Sequence, residues 1–240
     1  MIGIVSQARM TSTRLPGKIL KEVKGKSLLQ HHVDRLKWSG YPVFIATTIN
    51  QTDDVVENFC QQNEIGCFRG DENHVLSRYY GLALRYKLKT IVRVTSDCPL
   101  IDGFVVKAGV EKYLQGGAPA NRYLTNCQQR TYPRGFDFEV FSFETLQRMF
   151  DQATEDYEKE HVTPFIWKTH PEDFQIVHFK RAADDSKFRI TVDEPDDFKL
   201  VEKMILDFNC DQKVCEEIIH VLRNNSALYT INSHVEQKKV

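Results

Sequence analysis

Short apolar runs alternate with amphipathic segments from the start of the chain. Ile2, Gly3, Ile4 and Val5 read as a buried strand, and Ser27 is placed to cap a helix running to about Trp38, with Leu28, Leu29, Val33 and Leu36 on its apolar side. Gly40, Tyr41 and Pro42 turn the chain into a second strand over 43–47. Thr52, Asp53 and Asp54 open a helix carrying Val55, Val56 and Phe59, and a third strand spans 65–68. A helix over about 73–87 then leads into the β-branched strand 90–95. This order predicts right-handed βαβ units and an α/β fold with a mostly parallel sheet flanked by helices on both faces.

Beyond a helix over 103–115, headed by Asp102, the pattern loosens. Strands are predicted over 120–124, 138–141 and 174–179, helices over about 143–153 and 158–168, and an irregular excursion over 125–135. The run FRITV (188–192) reads as a strand returning to the core, followed by helices over about 194–208 and 211–224. The expected organisation is one domain over 1–224. It comprises a core (1–115), a mixed α+β lobe for acceptor binding or dimerisation (116–187), and the returning strand with C-terminal helices (188–224). Residues 225–240 read as a loosely held polar tail.

Composition narrows the function classes. The 240 residues are 41% hydrophobic and 27% charged, with 32 basic residues against 33 acidic ones, so nothing favours wholesale nucleic-acid binding. The chain opens without a signal pattern and has no apolar run long enough for a bilayer, so the expectation is a cytoplasmic protein with no membrane partner. Six cysteines without C-x-x-C spacing argue for reduced thiols rather than a zinc site.

The chemistry concentrates where the hydrophobic period disappears, between Ser6 and Lys18. Gln7, Arg9, Ser12, Thr13, Arg14, Pro16, Gly17 and Lys18 combine cations with small hydroxyls, a suitable receptacle for a nucleoside triphosphate. The spacing fits neither the P-loop nor the dinucleotide fingerprint, and a solvated basic loop is the competing reading. Its position after the first strand favours a ligand, because open α/β sheets bind at the carboxyl ends of strands. Two strand-terminal acids, Asp97 in SDCPLID and Asp193 in VDEPDDF, either cap the turns that follow or share a magnesium ion with the phosphates. At the second position Asp196 and Asp197 compete for the capping role. Tyr132, Arg134, Asp137 and Glu139 offer polar groups to a sugar, and His161, beside Glu160, is either satisfied by backbone or touches substrate.

Taken together, QARMTSTRLPGK, FRGDENHVLSRYY, VTSDCPLID, TYPRGFDFEVF, EKEHVTPFIW and ITVDEPDDF resemble the spore coat polysaccharide biosynthesis protein F family. That family is similar to the CMP-sugar synthetases, including the acylneuraminate and ketodeoxyoctonate cytidylyltransferases. The likeness covers about residues 1–207 and implies a glycosyltransferase-A-like nucleotidyltransferase fold. Ala8, Arg9, Ser12, Arg14 and Lys18 match the synthetases' first loop, with Thr11 standing where those enzymes carry Gly. Asp97 and Asp193 match the magnesium aspartates. Ala46, Thr47, Thr48, Arg69, Gly70, Asn73, Val75 and Arg78 fall where base and ribose contacts are implied. Gly135, Asp137, Glu139, Glu160 and His161 match blocks around the acceptor pocket.

The implied reaction is attack of a sugar-acid hydroxyl, the acid being of the keto-deoxy type, on the α-phosphorus of CTP. Pyrophosphate leaves, with Arg9, Arg14 and Lys18 stabilising its charge and Mg2+ held by Asp97 and Asp193. Surface polysaccharide synthesis and a homodimer joined through 125–179 also follow from the resemblance. Two rivals stand beside it: a nucleotide-sugar glycosyltransferase and a non-catalytic nucleotide-binding scaffold.

Overall fold

A computed structural model describes residues 1–237. In chain order the first half holds β1 (Ile2–Gln7), a small hairpin of β2 (Glu22–Val23) and β3 (Lys26–Ser27), α1 (Leu28–Leu36), β4 (Val43–Thr48), α2 (Asp54–Gln62), β5 (Gly66–Gly70), α3 (Val75–Arg85), β6 (Thr90–Thr95) and α4 (Gly103–Leu114). The second half adds β7 (Arg122–Thr125), β8 (Glu139–Ser142), α5 (Phe143–Gln152), α6 (Asp156–His161), β9 (Gln175–His178), α7 (Pro195–Phe208), α8 (Cys215–Asn224) and α9 (Ser226–Asn232).

Seven strands form one sheet in the order β5-β4-β1-β6-β8-β7-β9, and β8 alone runs against the rest. Strand alternation divides the core. Ile4, Ile45, Val92, Leu124 and Val140 face the layer that contains α1, α2 and α4, whereas Val5, Phe44, Ile91, Tyr123 and Phe141 face the layer of α3 and α5. A third cluster joins residues 188–192 to α7, α8 and α9 through Ile190, Val192, Leu200, Met204, Ile218 and Leu228. The expected caps form: the Ser27 hydroxyl accepts from Gln30 N–H (3.1 Å), and Asp102 Oδ1 accepts from Phe104 N–H (2.7 Å).

Four expectations change. The lobe over 116–187 supplies β7, β8 and β9 to the central sheet itself. Residues 188–192 form an extended strap outside the sheet, because β6 is already paired on both sides, by β1 and β8. The strap bonds instead to chain just beyond the strands: Ile190 N–H to the Arg134 carbonyl (2.8 Å) and Val192 N–H to the Asp97 carbonyl (2.8 Å). The helix expected over 158–168 stops at His161, since Pro164 bars helical backbone at Thr163, and a separate wide turn covers Phe165–Thr169. The tail from Asn225 is not loose over 226–232, where α9 buries Leu228 and Asn232; its last positions, 238–240, lie outside the described residues. Among the described residues, no helix is long and apolar enough to cross a membrane.

Candidate functional site

The chain leaving β1 is lashed to β4 and to the connections that lead into α2 and α3. Ala8 N–H donates to the Ala46 carbonyl (3.0 Å), and Met10 N–H donates to Asp53 Oδ1 (2.7 Å). Asp53 is held in turn by the Thr48 hydroxyl, while Arg69 grips the Thr48 and Asn50 carbonyls (2.8 Å each) and pairs with Asp54 and Glu57 (2.7 Å each). On the other side Glu72 accepts from the Thr11 hydroxyl, Asn50 Nδ2 (2.6 Å) and Arg9 Nη1 (3.3 Å). The Thr11 hydrogen bond, with help from Asn50 and Arg9, outweighs burial and holds the Glu72 carboxyl below its usual range. Thr11, where the synthetases carry glycine, therefore pins the loop.

A cleft of about 260 Å³ opens at the carboxyl ends of β1 and β6. It gathers Ala8, Arg9, Ser12, Arg14 and Lys18 from the loop, Val75 and Arg78 from α3, Asp97 after β6, Glu160 and His161 at the end of α6, and Asp193 before α7. Gln7 Oε1 and Arg78 Nε are buried here with no hydrogen-bond partner among the described residues. Native proteins leave few such atoms unpaired, and a bound ligand is one way to satisfy them.

Lys18 is the centre of the cleft. Its ammonium lies 2.8 Å from Asp193 Oδ1 and 3.4 Å from Asp97 Oδ2, so the two distant acids meet on one charge. Burial opposes that charge, but Asp97 and Asp193 outweigh it and hold the lysine above its ordinary range. Asp193 also meets Arg14 (3.1 Å) and Arg189 (2.8 Å). Burial alone would raise its pKa; Lys18, Arg14 and Arg189 overcome that and keep it lowered. The donor set suits a hard divalent cation, which takes one or two carboxylates and draws its other ligands from phosphate and water. Among the described residues no three His, Cys, Asp or Glu converge as a metal centre.

Backbone and buried polar bonds bring the acids together. The Asp97 carbonyl accepts Val192 N–H (2.8 Å) and the Thr191 hydroxyl (3.2 Å), which seats the strap beside the β6 end and delivers Asp193. Beneath Asp97, His32 Nδ1 donates to the Cys98 carbonyl (2.9 Å) and Nε2 accepts from the Ser6 hydroxyl (2.9 Å). Complete burial depresses the His32 pKa to about 4, which keeps the imidazole neutral and is consistent with that tautomer.

Other expected contacts lie away from the cleft. Ala46, Thr47, Thr48 and Arg69 support the loop or the sheet, and Asn73 is exposed in a turn where its N–H meets Asp71 Oδ1 (2.7 Å). A side chain at Gly70 would crowd Arg78 Cγ at 3.0 Å, so this glycine makes room for a cleft residue. Tyr132 stacks on Phe179 in the core, and Arg134 pairs by backbone with Arg189. Gly135 has φ +109°, and a Cβ there would stand 2.9 Å from the Ile190 backbone carbon, so it admits the strap. Asp137 pairs with Arg130. Glu139 is 3% exposed and engaged by Arg93, by the Tyr123 hydroxyl and by the Thr163 hydroxyl (2.7 Å).

One backbone outlier adjoins the cleft. Val162 has φ +71° and ψ −61°, and Thr163 N–H closes on the His161 carbonyl at 2.9 Å, a γ-turn of the rarer positive-φ kind. A buried β-branched residue in this conformation stores roughly 1–3 kcal/mol and persists only where its surroundings over-determine it.

Several contributors escaped the sequence reading. Ser96 and Thr95 line the cleft beside Asp97, and Glu72, Arg189 and Thr163 hold its walls. Arg189 had a visible signal, as the one charge inside FRITV.

Similarity to known proteins identifies the family. A family profile described as "Cytidylyltransferase" matches residues 2–239. The spore coat polysaccharide biosynthesis protein SpsF of Bacillus subtilis is 31% identical over 210 residues, covering 83% of this chain and 84% of that protein. The structure of a cytidylyltransferase from Leptospira borgpetersenii superposes with a TM-score of 0.89 at 33% identity, covering 100% of this chain and 99% of the other. A CMP:2-keto-3-deoxy-manno-octonic acid synthetase complexed with CTP shares the fold, with a TM-score of 0.63 at 18% identity over 86% of this chain and 98% of the other. By sequence along nearly its whole length, and by the fold that carries its cleft, the chain belongs to the cytidylyltransferase family.

Proposed function

We propose that this protein transfers CMP from CTP to a sugar acid of the keto-deoxy type, releasing pyrophosphate, in the synthesis of surface polysaccharide. The observation that carries the reading is the Lys18 ammonium bridging Asp97 and Asp193 in a cleft lined by Arg9 and Arg14. The acceptor hydroxyl releases its proton to solvent as its oxygen bonds to the α-phosphorus, while the bond to the bridging oxygen breaks and pyrophosphate leaves with that electron pair. Arg9, Arg14 and Lys18 stabilise the departing charge by charge-assisted hydrogen bonds in a partly dehydrated cleft. Asp97 and Asp193 would hold Mg2+, which when bound supplies Lewis-acid polarisation of the α-phosphate. Arg78 and Val75 line the nucleotide side, and Glu160 and His161 are available to the acceptor. Dimerisation through 125–179 belongs to the same reading on the strength of the family resemblance, and cytoplasmic residence is proposed with it.

Incubation with CTP, Mg2+ and a panel of keto-deoxy sugar acids should release pyrophosphate. Asp97→Asn is expected to reduce the rate by about a hundredfold or more, from about 2–4 kcal/mol of lost transition-state stabilisation. A thermal-shift comparison of CTP, UTP, GTP and ATP checks the base. Preference for a purine would overturn the cytidine assignment. Turnover of a nucleotide sugar without pyrophosphate would favour glycosyl transfer instead.

A further inference from the structure

The proposed reaction leaves Glu139 without a part, although its buried carboxylate is held by three side chains. It is buried in β8, opposite Arg93 of β6, and its Oε1 accepts from both Tyr123 and Thr163. It does not line the cleft. Thr163 is the connection outward. Its hydroxyl is fixed to Glu139 at 2.7 Å, while its backbone N–H holds the His161 carbonyl at 2.9 Å across Val162.

From this geometry we infer that Glu139 and Thr163 are positioning residues, which lock the Val162 γ-turn so that His161 and Glu160 are presented to the acceptor. The inference rests on the proposed cytidylyl transfer and adds residues that reading does not use. Three features converge on it. Val162 is fully buried in the apolar cluster with Phe165 and Ile166, so the turn is held from below. Pro164 stops the helix from running on and relieving the turn. The strained residue directly follows His161, which lines the cleft, and such strain gathers where a site needs a fixed geometry.

Glu139→Gln is a poor probe, because it disturbs a buried ion pair and endangers folding. Thr163→Val keeps the shape and removes only the hydroxyl. It should lower kcat about tenfold and raise KM for the sugar acid, with KM for CTP unchanged within about twofold. Thr163→Ser, which retains the hydroxyl, should restore most of the rate. In a His161→Ala background Thr163→Val should cost clearly less than it does alone, because the hydroxyl acts largely through His161. Additive losses in that double variant, or wild-type kinetics in Thr163→Val, would overturn the positioning role while leaving cytidylyl transfer intact. Absence of pyrophosphate from the wild type with every acceptor would overturn both.

Discussion

Asp97 and Asp193 reach the same ammonium by different construction. Asp97 is placed by its backbone, whose carbonyl is tied to Val192 and Thr191, and its carboxylate meets Lys18 (3.4 Å) and the Cys98 thiol (3.5 Å). Asp193 is placed by charge. Lys18, Arg14 and Arg189 surround its carboxylate, and its N–H donates to Asp197 Oδ2 at 2.9 Å. Asp197 is completely buried, and Arg189 grips it through two bonds of 2.8 and 3.0 Å. The Asp97 side chain is also the more open of the two, at 23% exposure against 13%. One acid is thus free to exchange partners when a ligand arrives, and the other is a fixed wall.

The comparison breaks most visibly at Arg189. Arg189→Met would leave Asp197 buried without its guanidinium and strip Asp193 of one of its three cations. Removing one partner of a buried pair costs about 3–5 kcal/mol, because an uncompensated charge remains. Urea denaturation of that variant should show a loss of this size, whereas Asp97→Asn should lose less than about 1 kcal/mol, since only a part-exposed contact disappears. Equal losses from the two substitutions would erase the distinction between a fixed acid and a free one.

Acid should separate the two sides in sequence. The folded protein keeps His32 neutral to about pH 4, while the unfolded chain takes up a proton near the ordinary imidazole value of 6.5. The unfolded state therefore binds more protons between those values. The stabilisation is fully present above pH 6.5 and is lost as pH falls through the window, by about 3 kcal/mol in all. Asp193 works lower down: its folded pKa lies below the ordinary aspartate value of 3.8, so its contribution is present above 3.8 and lost as pH falls through the folded value. Denaturation curves between pH 7 and 4 should therefore show a loss led by His32 on the Asp97 side, with smaller shares from His74 and His178, whose pKa values burial also lowers. An NMR titration placing His32 near 6.5 in the folded protein would remove the basis for that ordering.

How much of this was legible follows from the range of each interaction. The strand periods of β1, β4 and β6 and the caps Ser27 and Asp102 are local, and each stands in the structure within a residue or two of its expected place. Arg9, Arg14, Lys18, Asp97 and Asp193 could be placed together because charge without hydrophobic period follows apolar strands, although a solvated loop and turn caps fit the same pattern; the cleft they share is what the structure adds. What period could not show was partnership. FRITV has the composition of a sheet strand, yet both neighbours of β6 were already taken, and it became a strap. Glu139 looked like a substrate ligand because a carboxylate in a polar block does; only the approach of Arg93, Tyr123 and Thr163 assigns it to the interior. Asn232 sat in a polar tail whose composition does not announce a buried, bonded side chain.

That side chain offers the finest test of the charged wall. Asn232, 3% exposed in α9, donates to the Arg189 carbonyl (3.0 Å) and to Asp197 Oδ1 (2.8 Å), so the C-terminal helix is wired to Asp193 through Asp197 and Arg189. Asn232→Leu keeps a side chain of similar size but removes both donors. Asp197 would retain Arg189 and the N–H groups of Asp193 and Glu194, so its charge stays compensated, and the expected loss is about 1–3 kcal/mol, smaller than at Arg189. In a double-mutant cycle with Arg189→Met the losses should fall short of their sum, because both act on one carboxylate. Unchanged stability in Asn232→Leu would make α9 a passenger on the strap. A loss of the expected size, absent from a substitution at the exposed Tyr229, would show that a segment polar enough to read as a tail helps hold an acid of the cleft.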